Sequence, residues 1–199
     1  VKDLGTGWVV NASTNGSGGQ ANGESHDGHL SADGQHVVYS SKATNLVAGD
    51  ANGVQDVFVK NLVTGAVVNA STDATGVAGN GQSTANSITA DGRAVAFTSA
   101  AANLVANDGN GQADIFVKDL VTGSIVNASV GADGGQANGA SSGASLSADG
   151  RFVVFQSLAS NLVAGDTNGI ADIFVKDLRT GQIEMVTTSA SGLQVVGNF

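Results

Sequence analysis

The chain has no cysteine and no proline, and only 8 lysines and arginines in 199 residues. Without cysteine there are no disulfides, no thiol catalysis and no thiolate-bound zinc, although this identifies no redox compartment. Against the 8 basic residues stand 17 aspartates and glutamates, a net charge of −9. Nucleic acid rewards phosphate neutralisation by lysine and arginine, so this balance argues against that partner and against an anionic membrane surface. No apolar run approaches the roughly 20 residues of a membrane span, so membrane insertion is not expected. The opening residues lack a basic region followed by an apolar one, and any signal peptide is expected to lie outside this sequence.

What is abundant is glycine, 29 residues, with asparagine, serine, threonine, alanine and valine beside it. Such low complexity could belong to a disordered linker, but 41% hydrophobic content at regular positions argues for folded short strands. The acidic, cysteine-free, Gly/Asn-rich profile fits an exported bacterial protein, giving an extracellular, cell-surface or periplasmic expectation.

The regularity is a tandem repeat. Val1, Val59, Val117 and Val175 each open VKDL or VKNL, at a constant spacing of 58. The longer stretches Asp50–Leu62, Asp108–Leu120 and Asp166–Leu178 each run from an Asp/Asn/Gly loop into an apolar strand. Each unit holds four strand-like runs. In the third these are Ala144–Ala148, Phe152–Ser157, Asp172–Leu178 and Gln182–Thr187. Asp149-Gly150, like Asp33-Gly34 and Asp91-Gly92, predicts a tight hairpin turn with positive φ.

Four antiparallel strands per repeat without helical periodicity predict an all-β fold, a β-propeller with 58-residue blades. A parallel β-helix is the rival, but it normally has shorter coils and lacks regular hairpin turns. The divisions are a half-blade over 1–27 and blades over 28–85, 86–143 and 144–199. Closed propellers typically have about four to eight blades, so three and a half imply a piece of a longer array or closure by assembly. Two copies cannot complete each other, because both half-blades are the same outer strand pair. The remaining option is a four-bladed ring with one reduced blade patched by Gln194–Val196.

The runs LSADGRFVVFQS (Leu146–Ser157) and SNLVAGDTNGIADIFVKDLRTG (Ser160–Gly181), with their copies, resemble the PD40-type, WD40-like β-propeller repeats related to TolB. The resemblance covers essentially the whole chain and implies a propeller common in exported bacterial proteins. That family includes periplasmic scaffolds, surface adhesin modules and domains attached to enzymes, so it specifies fold more than function. Here the unit is longer than the common blade. The proline often found before Asp-Gly is alanine in all copies: Ala32, Ala90 and Ala148.

Three copies of D-x-N-G-x-x-D are the strongest chemical motif: Asp50, Asn52 and Asp56; Asp108, Asn110 and Asp114; Asp166, Asn168 and Asp172. Carboxylates and amides at alternate positions of a tight loop can converge on Ca2+ with a backbone carbonyl between them. The loop lacks a central acidic residue and a distal bidentate glutamate, so a calcium site would need other groups. The other reading is turn chemistry, with Asn-Gly bending the chain and the aspartates capping its amides.

His26, His29 and His36 occur in the first full repeat alone, where strand alternation predicts opposite faces for His26 and His29 and no convergent metal site. Asn11, Asn69 and Asn127 begin Asn-Ala-Ser sequons, read either as glycosylation acceptors or as a strand-exit pattern. Trp8 and Tyr39 are unrepeated aromatics that could stack on a sugar or simply pack. Serine is plentiful, but none sits in a nucleophile elbow, and a catalytic group should be unique rather than copied three times.

These residues predict a non-catalytic exported module that binds a protein or glycan ligand, with calcium as a candidate stabiliser. One alternative is part of a calcium-dependent propeller hydrolase using Glu24, His26, His29, Lys42 and Arg151. Another is a passive unit that self-associates through its incomplete blade, since open sheet edges invite partner strands.

Overall fold

The computed structural model describes residues 1–189. Among them are no helices and three antiparallel four-stranded sheets. The first blade comprises β1 (Ser25–Leu30), β2 (His36–Ser41), β3 (Asp56–Asn61) and β4 (Val67–Asn69). The second comprises β5 (Ser83–Ile88), β6 (Ala94–Ser99), β7 (Asp114–Asp119) and β8 (Ile125–Asn127). The third comprises β9 (Ser141–Leu146), β10 (Phe152–Ser157), β11 (Asp172–Asp177) and β12 (Ile183–Met185). Strand order within each sheet follows the chain, so every blade is a meander. The all-β blade architecture expected from the repeat is the one observed. Gln194–Val196 lie outside the described residues.

Ahead of β1, the half-blade is a short hairpin in which Lys2 pairs with Val9. The first strands β1, β5 and β9 start at residues 25, 83 and 141, three residues before the repeat divisions. A β-bulge is the reason: pairing with the second strand slips between His26 and His29, and between Ala85 and Ser87. Asp27 at the first bulge takes φ 53°, and Gly143 at the third takes φ 67°. The bulge also resets side-chain alternation. His26 pairs with Ser40 and His29 with Val38, two positions apart on β2, so both histidines share one face, contrary to the expectation of opposite faces.

The Asp-Gly hairpins also differ from a two-residue turn. Four residues, Ala32–Gln35, separate Ser31 from His36, whose backbones pair, and Gly34 donates to the Ser31 carbonyl. Only the glycine has positive φ (71°), while Asp33 accepts from the Gln35 amide and the Ser31 hydroxyl. The aspartate therefore braces the turn instead of occupying its left-handed position.

Blades pack face to face through the apolar residues of their middle strands. Val38, Val57 and Val59 of the first blade meet Val95, Phe97, Leu104 and Phe116 of the second. Ala96, Ile115 and Val117 of the second meet Val153, Phe155, Leu162 and Phe174 of the third. The innermost strand makes most of this contact, β5 lying on β1, β2 and β3, and β9 on β5, β6 and β7. Within blades, Phe97 stacks on Phe116 at 5.8 Å and Phe155 on Phe174 at 5.9 Å. Such aromatic pairs add to the stabilisation from area burial.

A buried lysine crosses each boundary. Lys60 Nζ donates to the Thr14 carbonyl (3.0 Å) and hydroxyl (2.6 Å). Lys118 Nζ donates to the carbonyls of Thr72 and Asp73, and Lys176 Nζ to those of Val130 and Gly131. Burial pushes all three ammonium groups below the usual lysine range. Lysine was read from the sequence only as part of the VKDL strand. Four of the chain's five lysines at the repeat spacing, in a lysine-poor protein, were the available signal.

The two ends of the array differ from its middle. All of β1 is exposed, whereas its counterparts β5 and β9 are partly buried by the preceding blade. On β10, Val154 is 37% exposed, while Val38 and Ala96 at the same position are fully buried.

Candidate functional site

The D-x-N-G-x-x-D loops lead into the third strands and are built alike. Asn52 Oδ1 accepts from the Val54 amide, and Gly53 takes φ 72° to complete the bend. The Asn52 side-chain NH2 then donates to Asp56 Oδ2 (2.7 Å) and to the Gly79 carbonyl (3.0 Å). Asp56 is fully buried, and its other oxygen accepts from Ser71 Oγ at 2.6 Å. Ser71 Oγ also accepts from the Val57 amide, and the Ser71 amide donates to Asn69 Oδ1 (2.9 Å). The acidic loop and the Asn-Ala-Ser exit are thus one knot tying β3 to the end of β4. Asn110, Asp114, Ser129 and Asn127 repeat it, and Asn168, Asp172 and Thr187 form the third version. In this knot the sequon asparagines Asn69 and Asn127 are strand-exit residues, and Asn127 Nδ2 is buried.

Calcium fits this arrangement in part. Asp56 and the Gly79 carbonyl share the Asn52 NH2, and the charge of Asp56 reaches Asp50, but calcium takes about six to eight oxygens, and the asparagine turns its NH2, not its oxygen, toward these acceptors. Among the described residues no group of three or more acidic or histidine side chains is placed to hold a metal. One group is left over: Asp50 is 9% exposed, and none of the described residues donates a hydrogen bond to its side chain. Burial, with the charge of Asp56, raises its pKa to about 6. Asp108 is raised for the same reasons, burial first and then Asp114.

A second, unrepeated set of polar residues gathers at the inner end of the first blade. His26 Nδ1 meets Asp27 Oδ2 at 2.6 Å, and Nε2 meets Gln55 Oε1 at 2.9 Å. Gln55 Nε2 donates onward to the Ser83 carbonyl and the Thr84 hydroxyl of the second blade. Acceptors at both ring nitrogens favour imidazolium, and the bond to Asp27 is the main cause of its raised pKa. Glu24 and Lys42 pair loosely nearby at 3.8 Å. Gln55 has alanine counterparts, Ala113 and Ala171, and that difference is its only signal in the sequence.

Beside this network lies a groove of about 360 Å³, lined by Val1, Ala12, His26, Leu30, Val37 and Tyr39 among others. Tyr39 is 4% exposed, packs on Phe58 at 6.0 Å, and leaves its hydroxyl without a partner. Burial pushes that hydroxyl up to about 12. Tyr39 is therefore a packing residue, unavailable as a sugar platform. Trp8 is 66% exposed and borders a separate groove with Leu4, Leu30 and Leu62. Arg151 sits apart on the third blade, paired with Asp177 at 2.8 Å and stacked over Phe152. Glu24, His26 and Lys42 thus gather at the first blade, with His29 further along β1 on the face of His26, while Arg151 does not join them.

No protein-family model matches the chain, and no curated protein matches it. Solved structures do. A putative TolB from Agrobacterium tumefaciens is 18% identical over 82% of this chain and 46% of its own, with a TM-score of 0.54. TolB from Acinetobacter baumannii is 24% identical over 94% of this chain and 37% of its own, also at 0.54. The β-propeller domain of the Trilobed protease from Pyrococcus furiosus is 17% identical over 83% of this chain and 44% of its own, at 0.52. The chain spans less than half the length of each. At these identities the likeness concerns fold, and the chain has a TolB-like β-propeller repeat fold.

Proposed function

We propose that the chain is a non-catalytic module of an exported bacterial protein, acting by binding a protein or glycan ligand. The observation that supports this best is the division between repeated and unrepeated polar groups. Most of the repeated ones are consumed in structural knots, with Asp50 left outside them, and the unrepeated ones sit at the exposed first blade without a nucleophile among them. Arg151, the fifth candidate for a hydrolase centre, lies on the third blade and is committed to Asp177 there. Calcium belongs to this proposal as a stabiliser of the acidic loops, supported by Asp50, whose buried carboxylate a cation would satisfy. In that event Asp50, Asp56 and the Gly79 carbonyl would supply ligands, after rotation of the Asn52 amide.

The test immobilises the chain against a glycan array and exported proteins, with calcium and with chelator, alongside a hydrolase substrate panel. Saturable binding without turnover is expected. Turnover, or no ligand in either collection, would contradict the reading.

A further inference from the structure

The first two acidic loops differ at one neighbouring position. The second loop is met by Gln136, on the connection after β8. Its side-chain NH2 donates to the Asn107 carbonyl and, at 3.4 Å, to Asp108 Oδ1, while its Oε1 accepts from the Gly109 amide at 3.4 Å. The corresponding groups of the first loop are the Gly49 carbonyl, Asp50 and the Ala51 amide, and Ala78 stands in place of Gln136. The backbones match. Gly49 and Asn107 both take positive φ, 83° and 64°. Ala78 and Gln136 pair with the equivalent residues Thr72 and Val130, and their carbonyls accept from Asn103 and Asn161 at 3.0 and 2.8 Å. Asp50 and Asp108 are each 9% exposed, with burial the first cause of a raised pKa in both. The alanine thus leaves Asp50 buried without a donor where the next repeat supplies one. In the third loop the corresponding residue, Gln194, lies outside the described residues.

We propose that, of these two loops, the first binds a calcium ion at the place where the Gln136 NH2 stands in the second, with the Asp50 carboxylate and the Gly49 carbonyl as its protein ligands. The inference rests on calcium as a stabiliser of the acidic loops and narrows that reading to one loop. Gly49 rather than Gly79 supplies the carbonyl, so the Asn52 amide keeps its bonds to Asp56 and Gly79. The Gln136 NH2 aims its hydrogens at a carbonyl oxygen and a carboxylate oxygen, and two such acceptors facing one point suit a hard cation. Gly49 is exposed, so water reaches the remaining coordination positions. One such water, in the place of Gln136 Oε1, accepts from the Ala51 amide. Calcium tolerates an irregular shell completed by water, whereas magnesium demands a near-ideal octahedron. A buried carboxylate without a partner is costly, and the cation offsets in the first loop what the glutamine amide offsets in the second.

The experiment titrates the isotope-labelled 199-residue chain with CaCl2 and follows its backbone amide shifts by NMR. The buffer is at about pH 7.5 with about 0.15 M KCl, which screens diffuse attraction to the acidic surface. Saturable shifts are expected at Gly49, Asp50 and Ala51, and not at Asn107, Asp108 and Gly109. The Kd should be on the order of 0.1–1 mM, the range of calcium sites in extracellular modules. Ala78→Gln supplies the missing amide. It should keep or raise the melting temperature in chelator and weaken the first site at least tenfold. Gln136→Ala should open a second site, with saturable shifts at Asn107, Asp108 and Gly109 in the same concentration range. An unchanged first site in Ala78→Gln overturns the proposal, as does a Gln136→Ala chain that gains no site. Equal saturable shifts at both loops of the parent overturn the selective site and leave calcium as a general stabiliser of the loops. No saturable shift at either loop overturns both. Binding of a protein or glycan is read separately on the arrays, so its failure is distinct from failure here.

Discussion

The ammonium of Lys118 lies 2.7 Å from the carbonyl oxygen of Asp73, a residue 45 positions earlier on the connection out of the first blade. It also meets the Thr72 carbonyl at 3.1 Å, at 5% exposure and without a carboxylate partner within ion-pair distance. A cation held by carbonyls in a buried boundary makes the blades interdependent, because breaking the contact strands the charge and the Thr72 carbonyl together.

Lys118→Met keeps much of the apolar stem but leaves the Thr72 carbonyl without its donor, while the Asp73 carbonyl keeps the Gly76 amide. The expected loss is about 1–3 kcal/mol in urea unfolding, the usual cost of unsatisfied buried polar groups. Lys42→Met, on the exposed pair with Glu24, should be near neutral in the same measurement.

Asp50 and Asp56 should respond oppositely to mutation. Asp56→Ala removes the acceptor for Asn52 and Ser71 and should destabilise by about 2–4 kcal/mol, as for other broken buried networks. Asp50→Asn removes a buried charge without a hydrogen bond and should raise the midpoint in chelator at pH 7.5. Folding raises this group's pKa from 3.8 to about 6. Its contribution to stability is then fully present below pH 3.8 and lost as pH rises through 6. Parent and Asp50→Asn should therefore diverge across that interval in pH-dependent thermal unfolding. In the parent, calcium should raise the midpoint above pH 6 and have little effect near pH 4, where Asp50 is protonated.

His26 has the same sign in a different window. Its folded pKa is raised above the ordinary 6.5, so the stability it contributes is complete below that value and declines as pH rises through the folded pKa. His26→Gln should lose this dependence, and the imidazole titration followed by NMR should move toward 6.5 in Asp27→Asn.

Gly81 tests the close approach behind each first strand. A Cβ there would lie 2.5 Å from the Ala100 carbonyl oxygen, and Gly23 and Gly139 stand in equivalent contacts at 2.7 Å. Gly81→Ala should destabilise by about 1–3 kcal/mol through overpacking. Gly109→Ala, where nothing lies within 4 Å, should be nearly silent in thermal unfolding.

The blades were legible in the sequence because apolar strands and Asp-Gly turns recur at a fixed period, and periodicity of that kind reflects the core directly. The first strands were less legible. SHDGHL (Ser25–Leu30) is polar and contains the bulge, so neither its start nor the shared face of His26 and His29 follows from alternation. The chemical site was harder still. D-x-N-G-x-x-D and Asn-Ala-Ser appear as separate local motifs, yet Asp56 and Ser71 bond across 15 residues into one knot. The role of Gln55 as a bridge from His26 to Ser83 depends on which blades touch, which no local pattern encodes.

The most direct test of the open first blade as a binding surface is hydrogen exchange compared across the three equivalent inner strands of the unliganded chain. β1, β5 and β9 have the same position in their sheets, but only β5 and β9 lie on a preceding four-stranded blade. The account expects β1 amides to exchange at least tenfold faster than their β5 and β9 counterparts. Equal protection of all three strands would contradict it.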